Sequence, residues 1–346
     1  MKIKNREALF ATVNFTSVKI FTLALQSIIN IGKNAAWLFF LINAAFTALM
    51  FTLVYFLYKK SGQRDIFSVL PPFLRKVLGV IVAAYFVISA SLQLDILIKS
   101  VIKTFMPESP ALFIAAFFIP AIIYASMKGI KSNVSLAVII APLLSFAIAV
   151  FTVLLPYADF TNFFPLLGNN DFYLKALWCF NFFSDFYMFI LIMPYLENRE
   201  KALKTGLTAI LITTLLSLML IASSVMTIPQ GVKFFSPFYY MVSFLAGSRS
   251  AVNFVKILKL IFLLNFLLYF STAIAFASHS LKKGFSLKYE KEITLSLSLC
   301  LLLIAETGFG ANLIPFYDGF MKYSFFVFPI VPFVCYLFSK KEGRVR

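Results

Sequence analysis

Residues 176–196 read ALWCFNFFSDFYMFILIMPYL, an almost entirely apolar run that is long enough to cross a membrane. Three polar residues interrupt this run near its middle: Asn181, Ser184 and Asp185. An ionised carboxylate at that depth in a bilayer is costly, so Asp185 is expected to face the protein interior and to have a function. The stretch therefore predicts a membrane helix whose centre contributes to a binding site.

The rest of the chain has the same apolar character. Of its 346 residues, 61% are hydrophobic and 13% are charged, whereas a soluble domain carries about 25% charged residues. The mean hydropathy is +0.91. We therefore predict an all-α integral membrane protein with a single polytopic domain over residues 1–346. The basic N-terminus lacks a small-residue cleavage site, so its first span is expected to stay in place.

Apolar runs bounded by charges predict about ten transmembrane helices joined by short loops. The runs cover residues 8–31, 35–58, 77–98, 111–127, 134–155, 176–196, 205–228, 260–280, 293–305 and 323–338. The first five and the last five form two halves, at about residues 8–157 and about residues 173–338.

Positive charges are distributed unequally between alternate loops. Of the 31 Lys and Arg residues, 21 fall on one side, nine on the opposite side, and Lys19 lies inside a span. Because cytoplasmic loops carry the excess of Lys and Arg, we expect an even number of spans with both termini in the cytoplasm. The net charge of +17 thus indicates topology and not nucleic-acid binding.

Polar residues of the first span lie along one helical face. They follow one another at intervals of three or four: Thr12, Thr16, Lys19, Thr22, Gln26 and Asn30. This face is not expected to contact lipid, and Lys19 lies about 16 Å deep along the helix. Shorter polar stripes are Ser89, Gln93 and Asp95 in the third span and Asn265, Tyr269 and Thr272 in the eighth. An Asp95–Lys99 ion pair is expected one helical turn apart.

The first and sixth spans open the two halves, and each carries a polar interruption near mid-depth. Paired interruptions at corresponding positions predict a 5+5 inverted repeat. A helix that breaks inside the membrane frees backbone groups that a bound solute or ion can satisfy. Half-helix N-termini favour a carboxylate and C-termini favour a cation, which suits a zwitterionic amino acid.

We hypothesise that Lys19 and Asp185 face each other across the core, because each reduces the cost of burying the other. The alternatives are a purely structural ion pair, or two charges that meet separate waters. Lys19 could neutralise a substrate carboxylate or occupy the place of a bound sodium ion. The sequence does not decide whether the two side chains pair directly.

Several segments together resemble a known family. They are NFFPLLGNN at 162–170, FFSDFYMFILIMPYL at 182–196, ENREKALKTGL at 197–207 and GKNAAWLFFLINAAF at 32–46. In order and spacing these segments look like the B subunit of spore-germination nutrient (germinant) receptors, the endospore germination permeases. The similarity covers nearly the whole chain.

This resemblance implies a ten-span fold of the amino acid–polyamine–organocation (APC) superfamily, with leucine-transporter architecture, in the spore inner membrane. It also implies two partners, the receptor's A subunit and a C-subunit lipoprotein. In that family the B subunit is thought to recognise the germinant, commonly an amino acid, between spans that include the first and sixth. With Gln26 of the polar stripe, the candidate ligand-binding residues are Thr16, Ser17, Lys19, Thr22, Asn181, Ser184 and Asp185.

The favoured function is a signalling receptor subunit that binds a small nutrient. The alternatives are a proton- or ion-coupled secondary transporter of amino acids or amines, and an ion or water channel that opens on germination. An enzyme is not expected, because no nucleophile–base pair or phosphate-binding loop is recognisable and the single histidine, His279, has no evident partner. Nothing in the sequence calls for a cofactor or a metal. Cys179, Cys300 and Cys335 lie in apolar runs and are expected to be buried.

Overall fold

A computed structural model describes residues 2–21, 25–104, 108–151, 159–164, 183–227, 252–306 and 330–337. Within these ranges every helix or strand assignment is helical, apart from a single parallel backbone bridge between Ile3 and Leu196. The all-α prediction therefore holds for the part of the chain that the structure describes.

Eleven α-helices are described, and we number them in chain order. They are α1 (Asn5–Lys19), α2 (Leu25–Gly32), α3 (Ala36–Lys60), α4 (Pro72–Thr104), α5 (Ala111–Met127), α6 (Gly129–Phe151), α7 (Tyr187–Ile192), α8 (Ala202–Thr227), α9 (Val252–Phe285), α10 (Glu290–Glu306) and α11 (Val331–Leu337). Short 3-10 turns are Lys33–Ala35, Phe160–Phe163, Ser184–Phe186, Met193–Tyr195 and Arg199–Lys201.

Four of the described helical segments are long and apolar enough to cross a membrane: Lys33–Lys60, Pro72–Lys99, Arg199–Met226 and Leu260–Phe285. A fifth span is formed if α5 and the first part of α6, which bend by 112° relative to each other, count as one. The chain is thus a multi-pass membrane protein. The count of ten spans and the inverted repeat stay predictions.

Both segments that carry the polar interruptions depart from regular α-helix within the described residues. In the first expected span, the backbone widens into a π-helical turn at Ile20 and Phe21 directly after α1, and α2 begins at Leu25 beyond three residues that are not described. The described part of the sixth is not the one long α-helix that we expected, because a 3-10 turn stands on each side of the six-residue α7. Pro194 explains the second turn, since proline cannot donate the backbone hydrogen bond that would continue α7.

Helices α4 and α9 form a closely packed pair that carries half of the site described below. They approach closest at two glycines: a Cβ on Gly79 would lie 2.9 Å from the backbone oxygen of Ser280 and 3.1 Å from Cα of Gly284. Only glycine fits at such a separation. This crossing sets the distance between α4 and α9. It therefore also sets the distance between the site residues Tyr85 on α4 and Tyr269 on α9.

The described members of the polar stripes are buried, apart from Asp95, which is partly exposed. Buried members are Thr12, Thr16, Lys19, Ser89, Gln93, Asn265, Tyr269 and Thr272. The Asp95–Lys99 pair is confirmed, with 2.6 Å between Lys99 Nζ and Asp95 Oδ2. One cysteine prediction was wrong: Cys300 is exposed on the outward face of α10, whereas Cys335 is buried, and Cys179 lies outside the described residues.

Candidate functional site

Four segments meet at a buried polar site in the middle of the molecule. Lys19 is the last residue of α1, and Asp185 lies in the 3-10 turn that precedes α7. Ser and Asp side chains compete with the helical backbone for hydrogen bonds and so favour turns and helix ends, which explains why the regular helix starts only after Ser184 and Asp185. Helices α4 and α9 supply the other two sides.

Lys19 and Asp185 form a direct ion pair, as hypothesised. Lys19 Nζ lies 3.3 Å from Asp185 Oδ1, and neither side chain has any exposed surface. The ammonium group also donates to the hydroxyl of Tyr85 at 2.9 Å and to Ser184 Oγ. All three of its N–H donors therefore have acceptors, which a buried ammonium group requires.

The Asp185 carboxylate is held on both oxygens. The hydroxyl of Tyr85 donates to Oδ1 and lies 2.8 Å from Ser184 Oγ, and the hydroxyl of Tyr269 donates to Oδ2 at 2.9 Å. Ser89 Oγ lies 2.7 Å from the Tyr269 oxygen, and since Tyr269 already donates to Asp185, Ser89 is the donor of this bond. The network thus joins α1, α4, the 183–186 turn and α9.

Aromatic rings enclose this network and keep water away from it. The ring of Phe15 on α1 stacks on Tyr269 at a centroid distance of 4.3 Å and meets Phe86 edge-on at 5.8 Å. Lys19 Nζ lies 5.3 Å from the centroid of the Tyr85 ring, within cation–π range. In such a water-poor environment charged hydrogen bonds are strong, and an unpaired charge is costly.

Of the predicted site residues, the structure brings Lys19, Ser184 and Asp185 into direct contact. Thr16 and Ser17 are buried on α1, and their hydroxyls accept or donate no hydrogen bond within the described part of the chain. Thr22 and Asn181 lie outside the described residues. Gln26 belongs to α2, but its side chain is likewise outside them.

The sequence did not assign Tyr85, Ser89 and Tyr269 to the site. Ser89 and Tyr269 were recognised as members of polar stripes, but their hydrogen bonds to the Asp185 network were not predicted. Tyr85 lies four residues before Ser89 and extends the same stripe by one turn, a signal that was hidden because tyrosine is common in apolar runs.

His279 has two partners that were not evident from the sequence. Its Nε2 lies 3.4 Å from the hydroxyl of Tyr195, and its Nδ1 lies 3.7 Å from Glu290 Oε1. The contact with His279, and the pairing with Lys282, lower the pKa of the Glu290 carboxyl from 4.5 to about 2. This charged cluster lies at the end of the molecule where α4 and α10 begin and α9 ends, which we call the inner end because the Lys and Arg distribution predicts it to be cytoplasmic.

Two cavities, of about 910 Å³ and about 380 Å³, also open at the inner end. Neither is lined by Lys19 or Asp185, and the side chains of both residues are fully buried.

Long apolar helices around a dehydrated charged network define a multi-pass membrane protein with a polar core. Residues 2–312 match the family model described as spore germination protein, the spore permease family. The chain belongs to this family, and the resemblance found in the sequence is confirmed. It is thereby a germination-related membrane protein. A search of curated proteins returned no match to the chain.

Proposed function

We propose that this protein is the membrane subunit of a spore germinant receptor. In this proposal it binds a small nutrient, an amino acid, near mid-membrane between the first and sixth spans and signals germination. Family membership supports the germination role. The observation that carries the ligand assignment is the fully buried Lys19–Asp185 pair, which lies where both segments depart from regular α-helix.

The Lys19–Asp185 pair carries the same two charged groups, an ammonium and a carboxylate, as a zwitterionic amino acid. A ligand carboxylate would replace Asp185 beside Lys19, and a ligand ammonium group would replace Lys19 beside Asp185. Charge balance is kept throughout such an exchange. A ligand with one charge would leave the other protein charge buried and unpaired, which costs about 3–5 kcal/mol. An amino acid is therefore favoured over its amine or acid analogue.

Neighbouring polar groups could orient the bound nutrient. Thr16 and Ser17 bring buried hydroxyls that have no partner within the described ranges, and buried polar groups of this kind are normally satisfied by a ligand or water. We propose Thr22, Gln26 and Asn181 as further contacts, with Ser184 already at the network.

Contacts at the inner end offer a route for the signal. The two segments that carry Lys19 and Asp185 are also joined there, by backbone hydrogen bonds of Ile3 with Tyr195 and Glu197, both 2.9 Å. Asn5 adds a side-chain bond to the backbone oxygen of Asn198 at 3.0 Å. A ligand that separates the central pair would strain this second junction, and the A subunit and the C-subunit lipoprotein would respond to the change.

The proposal includes the topology of the chain in the membrane. We place the chain in the spore inner membrane with both termini in the cytoplasm. Ten spans would form a 5+5 inverted repeat of the leucine-transporter type, with repeats at about residues 8–157 and about 173–338, as the charge distribution and the paired interruptions favour.

Thermal-shift screening of the purified protein against amino acids and nucleosides tests this proposal. We expect at least one amino acid to raise the melting temperature, and its decarboxylated and deaminated analogues to fail. Lys19→Met and Asp185→Asn should each abolish the shift, while Lys99→Met, which removes an exposed ion pair on α4, should retain it. A hit that survives both central substitutions would place the ligand elsewhere.

Ion-coupled transport is the second candidate, favoured by a membrane-embedded carboxylate that contacts one ammonium group and two phenols, all able to exchange protons. Uptake of a radiolabelled amino acid into proteoliposomes that contain this chain alone would establish it. If uptake is absent although the ligand binds, the receptor assignment stands.

A further inference from the structure

The smaller cavity at the inner end has the features of a phosphate site. Its volume is about 380 Å³, and it lies between the start of α4 and the turn that joins α9 to α10. Arg75, Lys282 and Lys283 line it, together with the hydroxyl-bearing residues Ser68 and Ser286. Three cations and two hydroxyls around a small cavity suit an anion with several oxygen acceptors.

The three cations retain unused donors. Lys282 Nζ lies 2.5 Å from Glu290 Oε2, and Lys283 Nζ lies 3.4 Å from Asp65 Oδ2, but an ammonium group has three N–H donors. Asp65 also lines the cavity, and its Oδ2 is engaged by Lys283 and by the Tyr195 hydroxyl, which donates at 2.9 Å. Lys283 therefore balances the single carboxylate of the lining and Lys282 is paired with Glu290, so the cluster keeps a net positive charge through Arg75.

Arg75 also has hydrogen-bond donors for an anion in this cavity. Its Nη2 donates to the backbone oxygen of Leu70 at 3.3 Å, whereas its Nε is buried and has no hydrogen-bond partner within the described part of the chain. The bond to Leu70 engages one of the five N–H donors of the guanidinium group, so Arg75 brings further donors to the cavity that it lines.

The cavity also lies beside the ends of two segments that are able to cross a membrane. One membrane-crossing segment starts at Pro72 and another ends at Phe285, on either side of the cavity. Large apolar side chains flank it: Phe73 is 74% exposed and Leu74 45% exposed at the start of α4, and Leu287 is 41% exposed in the α9–α10 turn. In a multi-pass membrane protein such side chains contact acyl chains.

We propose that this cavity binds the phosphate group of an anionic phospholipid from the predicted cytoplasmic leaflet. The phosphate lies among Arg75, Lys282 and Lys283, and the acyl chains run along Phe73 and Leu74. Basic pockets between membrane helices on this side take lipid headgroups by the same chemistry. The site is distinct from the Lys19–Asp185 network and does not depend on the nutrient proposal.

The test is a titration of detergent-solubilised full-length protein with phosphatidylglycerol, with phosphatidylcholine and inorganic phosphate as separate arms. Phosphatidylglycerol is expected to raise the melting temperature to a plateau, and phosphatidylcholine is not. Arg75→Gln should raise the half-saturating concentration about fivefold, the effect of one basic group near an anionic lipid. Lys282→Gln should do the same, and decides the question if Arg75→Gln does not fold.

Lys76→Gln is the matched control, because Lys76 follows Arg75 on α4, is exposed and does not line the cavity. It is expected to change the half-saturating concentration by less than about twofold. Equal weakening by Lys76→Gln and Arg75→Gln would indicate bulk attraction and overturn the proposal. So would equal responses to phosphatidylglycerol and phosphatidylcholine, and a full response to inorganic phosphate alone would overturn the assignment to a lipid.

Discussion

Tyr269 on α9 donates its hydroxyl to Oδ2 of Asp185 at 2.9 Å, across 84 positions of sequence. The same hydroxyl accepts from Ser89 on α4. The carboxylate of Asp185, in the 183–186 turn, is thereby hydrogen-bonded to the α4–α9 pair. The close contact at Gly79 and Gly284 fixes the distance between these two helices. A displacement of Asp185 must break this bond or move α9.

The Lys19–Asp185 pair is expected to show strong energetic coupling. Lys19→Met leaves a buried carboxylate without its cation and should destabilise the protein by about 3–5 kcal/mol. Adding Asp185→Asn should recover a large part of that loss, so the double-mutant cycle, measured by unfolding in mixed detergent micelles, is non-additive. Lys99→Met is the control and should cost less than about 1 kcal/mol, since Lys99 is 51% exposed. Additive central substitutions would contradict the pairing.

The tyrosine hydroxyls are expected to stabilise the carboxylate individually. Tyr269→Phe removes one charged hydrogen bond without changing the ring, and should destabilise the fold by about 1.5–3 kcal/mol. Tyr85→Phe should cost at least as much, because its hydroxyl contacts both Lys19 and Asp185. Tyr124→Phe serves as the control, since this ring is 67% exposed on α5. Comparable melting temperatures for all three variants would exclude this role.

The glycine crossing predicts a steric effect. Gly79→Ala would place a Cβ 2.9 Å from the backbone oxygen of Ser280, so α4 and α9 must separate. The expected destabilisation is about 1–3 kcal/mol, as for an overpacked core. Val80→Ala, at the adjacent position that is 48% exposed, should have little effect. A Gly79→Ala variant as stable as the wild type would show that the two helices are not tightly held there.

The inner end is expected to lose stability in acid. Because the pKa of Glu290 is about 2 in the folded protein against 4.5 normally, its contribution is complete above about pH 4.5 and is lost as the pH falls toward 2. Since the carboxyl is partly exposed, screening limits the effect to about 1 kcal/mol. Glu290→Gln should flatten the fall of melting temperature between pH 5 and pH 3 relative to the wild type.

Glu292→Gln is the comparison for the acid experiment, because Glu292 is exposed on the same first turn of α10. It should leave the pH profile unchanged. If both variants flatten the profile equally, general charge repulsion and not the contact with His279 and Lys282 accounts for the acid sensitivity.

Apolar run length and charge were sufficient to predict the membrane class and most helix positions. The run at 111–127 coincides with α5, and the run at 35–58 lies within two residues of α3 at both ends. Helical periodicity also predicted which faces are buried, because a polar stripe excludes contact with lipid. These properties depend on local sequence, so no tertiary information was needed.

The candidate site was predictable only in part. Lys19 and Asp185 were identified because a charge inside an apolar run requires a partner, and each was the other's best candidate. Tyr85 carries no such signal, since its phenol is compatible with an apolar helix, and its role arises only from its position opposite Ser184 and Asp185. The partners of His279 were not identified because Tyr195 and Glu290 approach it from two separate elements.

Local composition thus established that the chain enters the membrane and which residues cannot face lipid, since hydrophobicity and helical spacing act over a few neighbouring positions. Long-range packing established the rest: which hydroxyls satisfy Asp185, how closely α4 and α9 approach, and where Arg75 meets Lys282 and Lys283. Those arrangements depend on contacts between residues from 84 to more than 200 positions apart in the chain. No short stretch of sequence encodes such distances, because they follow from how whole helices cross.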